Sequence, residues 1–246
     1  MTPSPHALMR DWPPEGVAFP VADIDIRVAA GELAELAAFR TEIDANWKAE
    51  TDANPHLFNG RLVALYDVAL DHAGVHAAGR MVPYAYHLWW RRQSLPPPTF
   101  HCFAMPVIVS ADGAIIAIRM SQTTANAGKV YCASGSLEED DIVDGRIDID
   151  ANMTREVAEE TGIDLTGLKA GADYYCAHHR HCVMFYRFFY SERDAATLMQ
   201  AVREHMKTDT EGEIDAVLAI TAGNRGAFNY AFSMPPVLDL HFSNDS

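Results

Sequence analysis

Segments with strand-like and helix-like hydrophobic patterns alternate along this chain of 246 residues. Apolar residues at steps of three and four predict amphipathic helices, for example over 31–48 and 195–206. Strands are predicted over 21–28, 62–70, 107–109, 115–118, 130–133, 182–190 and 216–220. Alternation of the two element types favours an α/β fold, in which helices cover a sheet.

A run of three prolines, Pro96 to Pro98, interrupts the pattern in the middle of the chain. Consecutive prolines form a stiff, extended segment without regular hydrogen bonds, which is typical of a boundary between packed units. We therefore predict an N-terminal α+β region over 1–98 and a second domain over 99–246.

Charge and composition exclude several classes of function. The chain has 19 basic and 34 acidic residues and a formal net charge of −15, so it repels nucleic-acid polymers and anionic lipid surfaces. No run reaches the ~18 apolar residues that a membrane-spanning helix needs. The four cysteines show no CxxC spacing and no segment near the start resembles a signal peptide, so we expect reduced thiols and a cytoplasmic location.

Three glutamates share one face of a helix that is predicted over 150–161, with Gly162 as its C-terminal cap. At about 100° per residue, Glu156, Glu159 and Glu160 lie together, opposite the apolar side. In a cleft with an effective dielectric near 20, each pair would repel by about 3 kcal/mol. A divalent cation such as Mg²⁺ or Mn²⁺ would remove that repulsion. A solvated helix face has the same spacing, and periodicity does not distinguish the two.

The segment Arg155 to Ile163 reads R-E-V-A-E-E-T-G-I and resembles the second part of the Nudix box. That box consists of a Gly, five residues, a Glu, seven residues and then R-E-U-x-E-E-x-G-U, where U is aliphatic. Every specified position of the second part matches. The segment 131–138 is similar to the loop that enters the box, with Ser134 in place of the first of its two usual glycines.

The strict spacing of the Nudix pattern fails before Arg155. Counted back from Arg155, the Gly of the pattern falls on Asp141 and its first Glu falls on Ile147. We infer an insertion that lengthens the loop between residues 138 and 150. The counterpart of the first Glu is left open among Glu138, Asp148 and Asp150.

The resemblance implies both a fold and a reaction. The fold is a Nudix-type mixed β-sheet sandwiched between α-helices, here in the domain 99–246. The reaction is metal-dependent hydrolysis of the pyrophosphate bond in a nucleoside diphosphate linked to another moiety. The resemblance also implies that Glu156, Glu159 and Glu160 bind Mg²⁺ or Mn²⁺ and that Arg155 orients a glutamate.

The resemblance further implies a base that accepts the proton of the attacking water. Glu159 is one candidate, and the family often uses an acid on a loop late in the domain. Here Glu213 is the first choice for that acid and Glu211 the second. For the substrate phosphates we predict Arg119 and Lys129, because an acidic protein must supply local positive charge where an anion binds.

The implied partner is a small nucleoside diphosphate derivative, and the family is often homodimeric. The long N-terminal region and the segment 57–60 weakly resemble relatives that act on UDP-sugars, so a nucleotide sugar is one candidate and the substrate is left open. Two rival hypotheses are kept. The chain is then either a non-catalytic Nudix-fold nucleotide-binding sensor or scaffold, or a structural protein with an accidental match.

Three further segments carry weaker predictions. The acidic segment 138–150 is either a solvated loop or the site of a second cation, and we favour the solvated loop. Asp150 is predicted to be the N-cap of the helix. The segment Cys176 to Cys182 splits its Cys and His residues over two strand faces, which argues against zinc. The aromatic and basic residues of 84–92 suit either a nucleobase or packing between domains.

Overall fold

The structure, a computed structural model, describes residues 11–124, 126–209 and 212–243. Its strands are β1 (Phe19–Val21), β2 (Ile24–Val28), β3 (Arg61–Asp71), β4 (Gly74–Pro83), β5 (Phe100–Val109), β6 (Ile115–Met120), β7 (Val130–Tyr131), β8 (Gly135–Ser136), β9 (Ile142–Val143), β10 (Arg146–Ile147), β11 (Lys169–His179), β12 (Cys182–Tyr190) and β13 (Ile214–Ile220). Its helices are α1 (Ala34–Ala38), α2 (Arg40–Ala53), α3 (Tyr84–Trp90), α4 (Ile149–Thr161), α5 (Ala195–Met206) and α6 (Met234–Phe242). In the described ranges, no helix combines the length and the hydropathy needed to cross a membrane.

The strands form one large mixed sheet. Its main path runs β1-β11-β12-β5-β3-β4-β2-β10-β9, while β6 joins β5 to β13 and β7, and β8 pairs with β5. The pairs β12–β5 and β2–β4 are parallel, whereas the other pairs are antiparallel. The predicted α/β class with a mixed sheet is therefore confirmed.

Helices cover both faces of this sheet. Side chains of β3 alternate between two hydrophobic cores, because successive residues of a strand point to opposite faces. Leu62 and Ala64 pack with residues of α1, α2 and α3, whereas Val63 and Leu65 belong to the larger core, which also takes in α4, α5 and α6. The sheet is thus sandwiched between two helical layers, as predicted.

Strands from both sides of the proline run hydrogen-bond to one another. Ala64 of β3 pairs with His101 of β5, β1 pairs with β11, and β2 pairs with β10. The N-terminal region thereby adds strands and a helical layer to the sheet that carries α4. The division at residue 98 stays a prediction.

The helix α4 begins one residue earlier than expected, which corrects the predicted N-cap. The carboxylate of Asp148 accepts a hydrogen bond from the Ala151 N–H at 2.9 Å and caps the helix. Asp150 therefore lies inside the first turn, where it accepts a hydrogen bond from the Tyr174 hydroxyl at 2.7 Å. At the other end Gly162 has a φ of +69°, as a left-handed C-terminal cap requires.

Candidate active site

Arg155 on α4 joins three acidic side chains. Its guanidinium forms a forked contact with Asp141, with Nη2 at 3.1 Å from Oδ2 and Nε at 3.3 Å from Oδ1. Nη1 lies 2.8 Å from Oε1 of Glu156 and 3.1 Å from Oε2 of Glu159. Arg155 thus lies beside two of the predicted glutamates and restricts where their carboxylates point.

Asp141 is a site residue that the sequence prediction missed. It is 1% exposed, and its carboxylate also accepts hydrogen bonds from the Glu138 N–H at 2.7 Å and from Nδ2 of Asn152 at 2.8 Å. A buried carboxylate needs such partners, because desolvation of an unpaired charge is costly. The surrounding segment 138–150 is mainly exposed, as favoured for a solvated loop, and Asp141 is its one buried acidic residue.

A sequence signal for Asp141 exists. As in the first part of the Nudix pattern, five residues separate a glycine, Gly135, from this acid, although the acid is Asp rather than Glu. The insertion therefore lies after Asp141, where thirteen residues (142–154) replace the seven of the pattern. It forms the hairpin of β9 and β10, and β10 pairs with β2.

Glu156 is buried against the backbone of β8. Burial raises the pKa of its carboxyl to about 7, although the nearby Arg155 acts in the opposite direction. The approach to the strand is so close that a Cβ on Gly135 would lie 2.0 Å from the carboxyl carbon of Glu156. Only glycine at position 135 leaves room for this carboxylate.

Glu160 lies one turn further along α4. Its Oε2 accepts a hydrogen bond from the Ser134 N–H at 3.0 Å. Burial, together with the charges of Glu156 and Glu213, raises the pKa of its carboxyl well above the usual value. Glu159 lies at the rim, since its side chain is 58% exposed.

Glu213 immediately precedes β13 and faces the same region. Its negative charge raises the pKa of both Glu160 and Tyr131. Its backbone carbonyl accepts a hydrogen bond from the Ser121 N–H at 2.7 Å, which connects the β13 end to β6. The charge of Glu213 thus acts on the Glu160 carboxylate of α4. Glu211, its predicted alternative, lies outside the described residues.

The two predicted phosphate-binding side chains are paired with other neighbours. Nε of Arg119 lies 2.6 Å from Oδ1 of Asp215 in an exposed ion pair. Nζ of Lys129 donates a hydrogen bond to Oδ1 of Asn229 at 2.8 Å. In the described part of the chain, neither side chain contacts a carboxylate of α4.

The glutamates offer the donor chemistry of a divalent-cation site. Across residues 11–124, 126–209 and 212–243, no three His, Cys, Asp or Glu side chains are grouped closely enough to hold a metal ion. The nearest positive charge to Glu156 is Arg155. Carboxylates whose pKa values are raised by burial and by one another are nevertheless the oxygen donors that a hard cation stabilises.

Comparison with known proteins gives structural neighbours only. No protein-family model and no curated protein matches this chain. The MutT protein from Methanosarcina mazei Go1 is a solved structure 15% identical to this chain, with a TM-score of 0.40 and coverage of 60% of this chain and 96% of that one.

Two further solved structures have similar sequence identities and TM-scores. DR0079 from Deinococcus radiodurans is 10% identical, with a TM-score of 0.45 and coverage of 74% and 99% of the two chains. The NUDIX domain of Shewanella oneidensis NrtR, solved in complex with ADP ribose, is 9% identical, with a TM-score of 0.42 and coverage of 60% and 89%. This chain is an α/β protein with helices on both faces of a mixed sheet. The motif on α4 resembles the box of the Nudix family.

Proposed function

We propose that this protein is a pyrophosphohydrolase that cleaves the pyrophosphate bond of a nucleoside diphosphate linked to another moiety. The observation that carries the proposal is the packing of the Glu156 and Glu160 carboxylates, one turn apart on α4, against Gly135 and Ser134 and beside Arg155. Mutual repulsion of these carboxylates would only destabilise a structural helix. A cation that binds there together with a phosphate anion relieves the repulsion.

Glu156 and Glu160 are the proposed principal metal ligands, with Glu159 as a further ligand. Mg²⁺ or Mn²⁺ suits these oxygen donors, because both ions keep several water molecules and prefer a few carboxylates plus substrate phosphates. When bound, such an ion supplies neutralisation of the diphosphate charge and a lower pKa for an attached water.

The remaining side chains position these groups or move a proton. Arg155 holds Glu156 and Glu159 in orientation, and the buried Asp141 holds Arg155 in turn. Either Glu213 or the exposed Glu159 accepts the proton of the attacking water. The product is a phosphate monoester on each side of the broken bond.

Substrate binding completes the proposal. Arg119 and Lys129 bind the substrate phosphates. To do so, Arg119 leaves Asp215 and Lys129 leaves Asn229. The partner is a small nucleoside diphosphate derivative, with a nucleotide sugar as one candidate. A homodimer, a cytoplasmic location and the exclusion of nucleic-acid polymers stay predictions, the last because of the net charge of −15.

A product-release assay tests the function. The purified chain is incubated with UDP-glucose, ADP-ribose, NADH, CoA and dinucleoside polyphosphates, with Mg²⁺ or Mn²⁺ and with EDTA. We expect cleavage of at least one compound, abolished by EDTA and lowered by on the order of a hundredfold in Glu160→Gln. The matched control is Glu204→Gln on α5, where Glu204 contacts Lys207 at the surface.

The same assay, combined with a measurement of binding by titration calorimetry, separates the rival classes. A nucleotide-binding sensor would bind one of these compounds without releasing product at any metal concentration. A protein with an accidental motif would neither bind nor cleave them. Full activity in a folded Glu160→Gln variant would remove that residue from the mechanism.

A further inference from the structure

Partly exposed rings form a continuous surface beside the carboxylates. His87 of α3 and His101 of β5 are in contact, with ring centroids 4.3 Å apart. Tyr84 stacks on His87 at 5.8 Å, and Phe103 lies 5.6 Å from His101. Each of the four residues is partly accessible, but Nδ1 of the His101 ring is buried and has no hydrogen-bond partner within the described residues.

The surface continues through two further rings. Phe232, which precedes α6 and is 45% exposed, lies 6.2 Å from Phe103 and 5.2 Å from His179. We define the ring surface by its members, which are Tyr84, His87, His101, Phe103, His179 and Phe232. Exposed aromatic rings that contact one another are unusual on a surface that binds nothing, because burial of their apolar faces is energetically favourable.

The ring surface reaches the candidate active site at two points. Phe103 pairs in register with Ser136 of β8, and the preceding Gly135 packs against Glu156. At the other point, burial raises the pKa of both Tyr84 and Glu160, and the negative charge of Glu213 acts on both in the same direction. Phe103 and Gly135 face opposite sides of the sheet, so a ligand that lies on the rings extends to the carboxylates of α4 past the end of β8.

The charge at this surface suits an anionic ligand with an uncharged planar part. Arg91 directly follows α3, and its side chain has no hydrogen bond or ion pair within the described residues. Burial is the main cause that lowers the pKa of His87 and His101, and the charge of Arg91 adds to it, so both imidazoles are neutral near pH 7. Neutral rings stack on a base, while Arg91 attracts a phosphate despite the overall charge of −15.

We propose that the ring surface binds the planar base of the nucleotide part of the substrate, with Arg91 nearby as the cation that attracts its phosphates. The inference rests on the proposed function and adds the location and the chemical class of the moiety that is recognised. It also assigns a role to α3 of the N-terminal region, which supplies Tyr84, His87 and the adjoining Arg91.

Binding measured without turnover tests this inference. Titration calorimetry in EDTA compares ADP and UDP, which carry a base, with pyrophosphate and ribose 5-phosphate, which do not. The variants are Phe232→Ala, His87→Ala and His87→Phe. Phe58→Ala, at a ring that is 83% exposed and outside the surface, is the matched control. Thermal unfolding of each variant checks that the fold is kept.

We expect at least one nucleoside diphosphate to bind at least about tenfold more tightly than either compound without a base. Phe232→Ala and His87→Ala should each weaken that binding about tenfold, while His87→Phe and Phe58→Ala leave it within about threefold. Since Phe232 is half-exposed, its variant folds even if His87→Ala does not.

Three outcomes would overturn the inference. They are equal binding of compounds with and without a base, unchanged binding in Phe232→Ala, or no binding of either nucleotide. Because no metal is present, a chain that hydrolyses nothing can still bind through its rings, which separates this inference from the proposed hydrolysis. Conversely, base-independent cleavage with metal would support the hydrolysis and reject the ring surface.

Discussion

The guanidinium of Arg155 donates hydrogen bonds from two nitrogens to the buried carboxylate of Asp141, although the two residues lie 14 positions apart in the chain. The pair connects α4 to the short 3₁₀ helix (Glu139–Asp141) at the start of the inserted hairpin. The same guanidinium also contacts Glu156 and Glu159. The position of Asp141 therefore fixes where Arg155 lies beside these candidate ligands.

Removal of Asp141 should destabilise the fold. Asp141→Ala leaves Arg155 without its main partner and removes an acceptor from Asn152. We expect the free energy of unfolding in urea to fall by about 3 kcal/mol, the usual cost of breaking a buried ion pair. Asp140→Ala, at the exposed neighbouring acid, is the control and should change it by less than about 0.5 kcal/mol. Equal effects of the two substitutions would contradict the assigned role of Asp141.

Gly135 should tolerate no side chain. In Gly135→Ala the new Cβ would lie 2.0 Å from the Glu156 carboxyl carbon, so the carboxylate must move. We expect loss of metal-dependent hydrolysis and a decrease in stability of about 1–3 kcal/mol, as for other overpacked sites. Gly167→Ala is the matched control, since nothing lies within 4 Å of a Cβ built at Gly167. Wild-type activity in Gly135→Ala would show that the position of Glu156 is not critical.

Divalent cations should stabilise the folded chain. A ligand that binds only the folded state at a hundred times its Kd adds about 2.7 kcal/mol to the free energy of unfolding. We therefore expect Mn²⁺ to raise the Tm of the wild type and to leave that of Glu160→Gln almost unchanged. Calorimetric scans with Mn²⁺ and with EDTA measure this difference. An equal rise in both proteins would place the cation elsewhere.

Stability should decrease in mild acid because of the paired histidines. Burial lowers the pKa of His101 to about 4, and the pKa of His87 is lowered well below its usual value for the same reason. Between about pH 6.5 and pH 4 the unfolded chain binds protons at these rings and the folded chain does not, so the free energy of unfolding falls as the pH falls.

His101→Phe isolates the contribution of one ring. At about 1.4 kcal/mol for each pKa unit, the loss that His101 causes across that window is about 3 kcal/mol. Urea unfolding at pH 7, 6, 5 and 4 should therefore show a shallower decrease in His101→Phe than in the wild type. Parallel curves for the two proteins would mean that His101 binds its proton over the same pH range in the folded and the unfolded chain.

Local patterns predicted the elements around the site with close bounds. The helix α5 (Ala195–Met206) has the limits that its periodicity predicts, and the strands predicted over 107–109 and 115–118 lie within β5 and β6. Two predictions were wrong in detail. The helix expected over 31–48 is divided into α1 and α2 at Phe39, and the strand expected over 130–133 ends at Tyr131.

The sequence by itself determined the candidate ligand face, because Glu156, Glu159 and Glu160 share one side of a helix whatever surrounds it. Periodicity and turn chemistry act over a few residues and are therefore legible in the chain alone. The tertiary structure decided the rest. Which acid balances Arg155, how Gly135 meets Glu156 and which rings line the surface all depend on burial and on pairing between distant strands, whose free energy arises only when remote segments pack together.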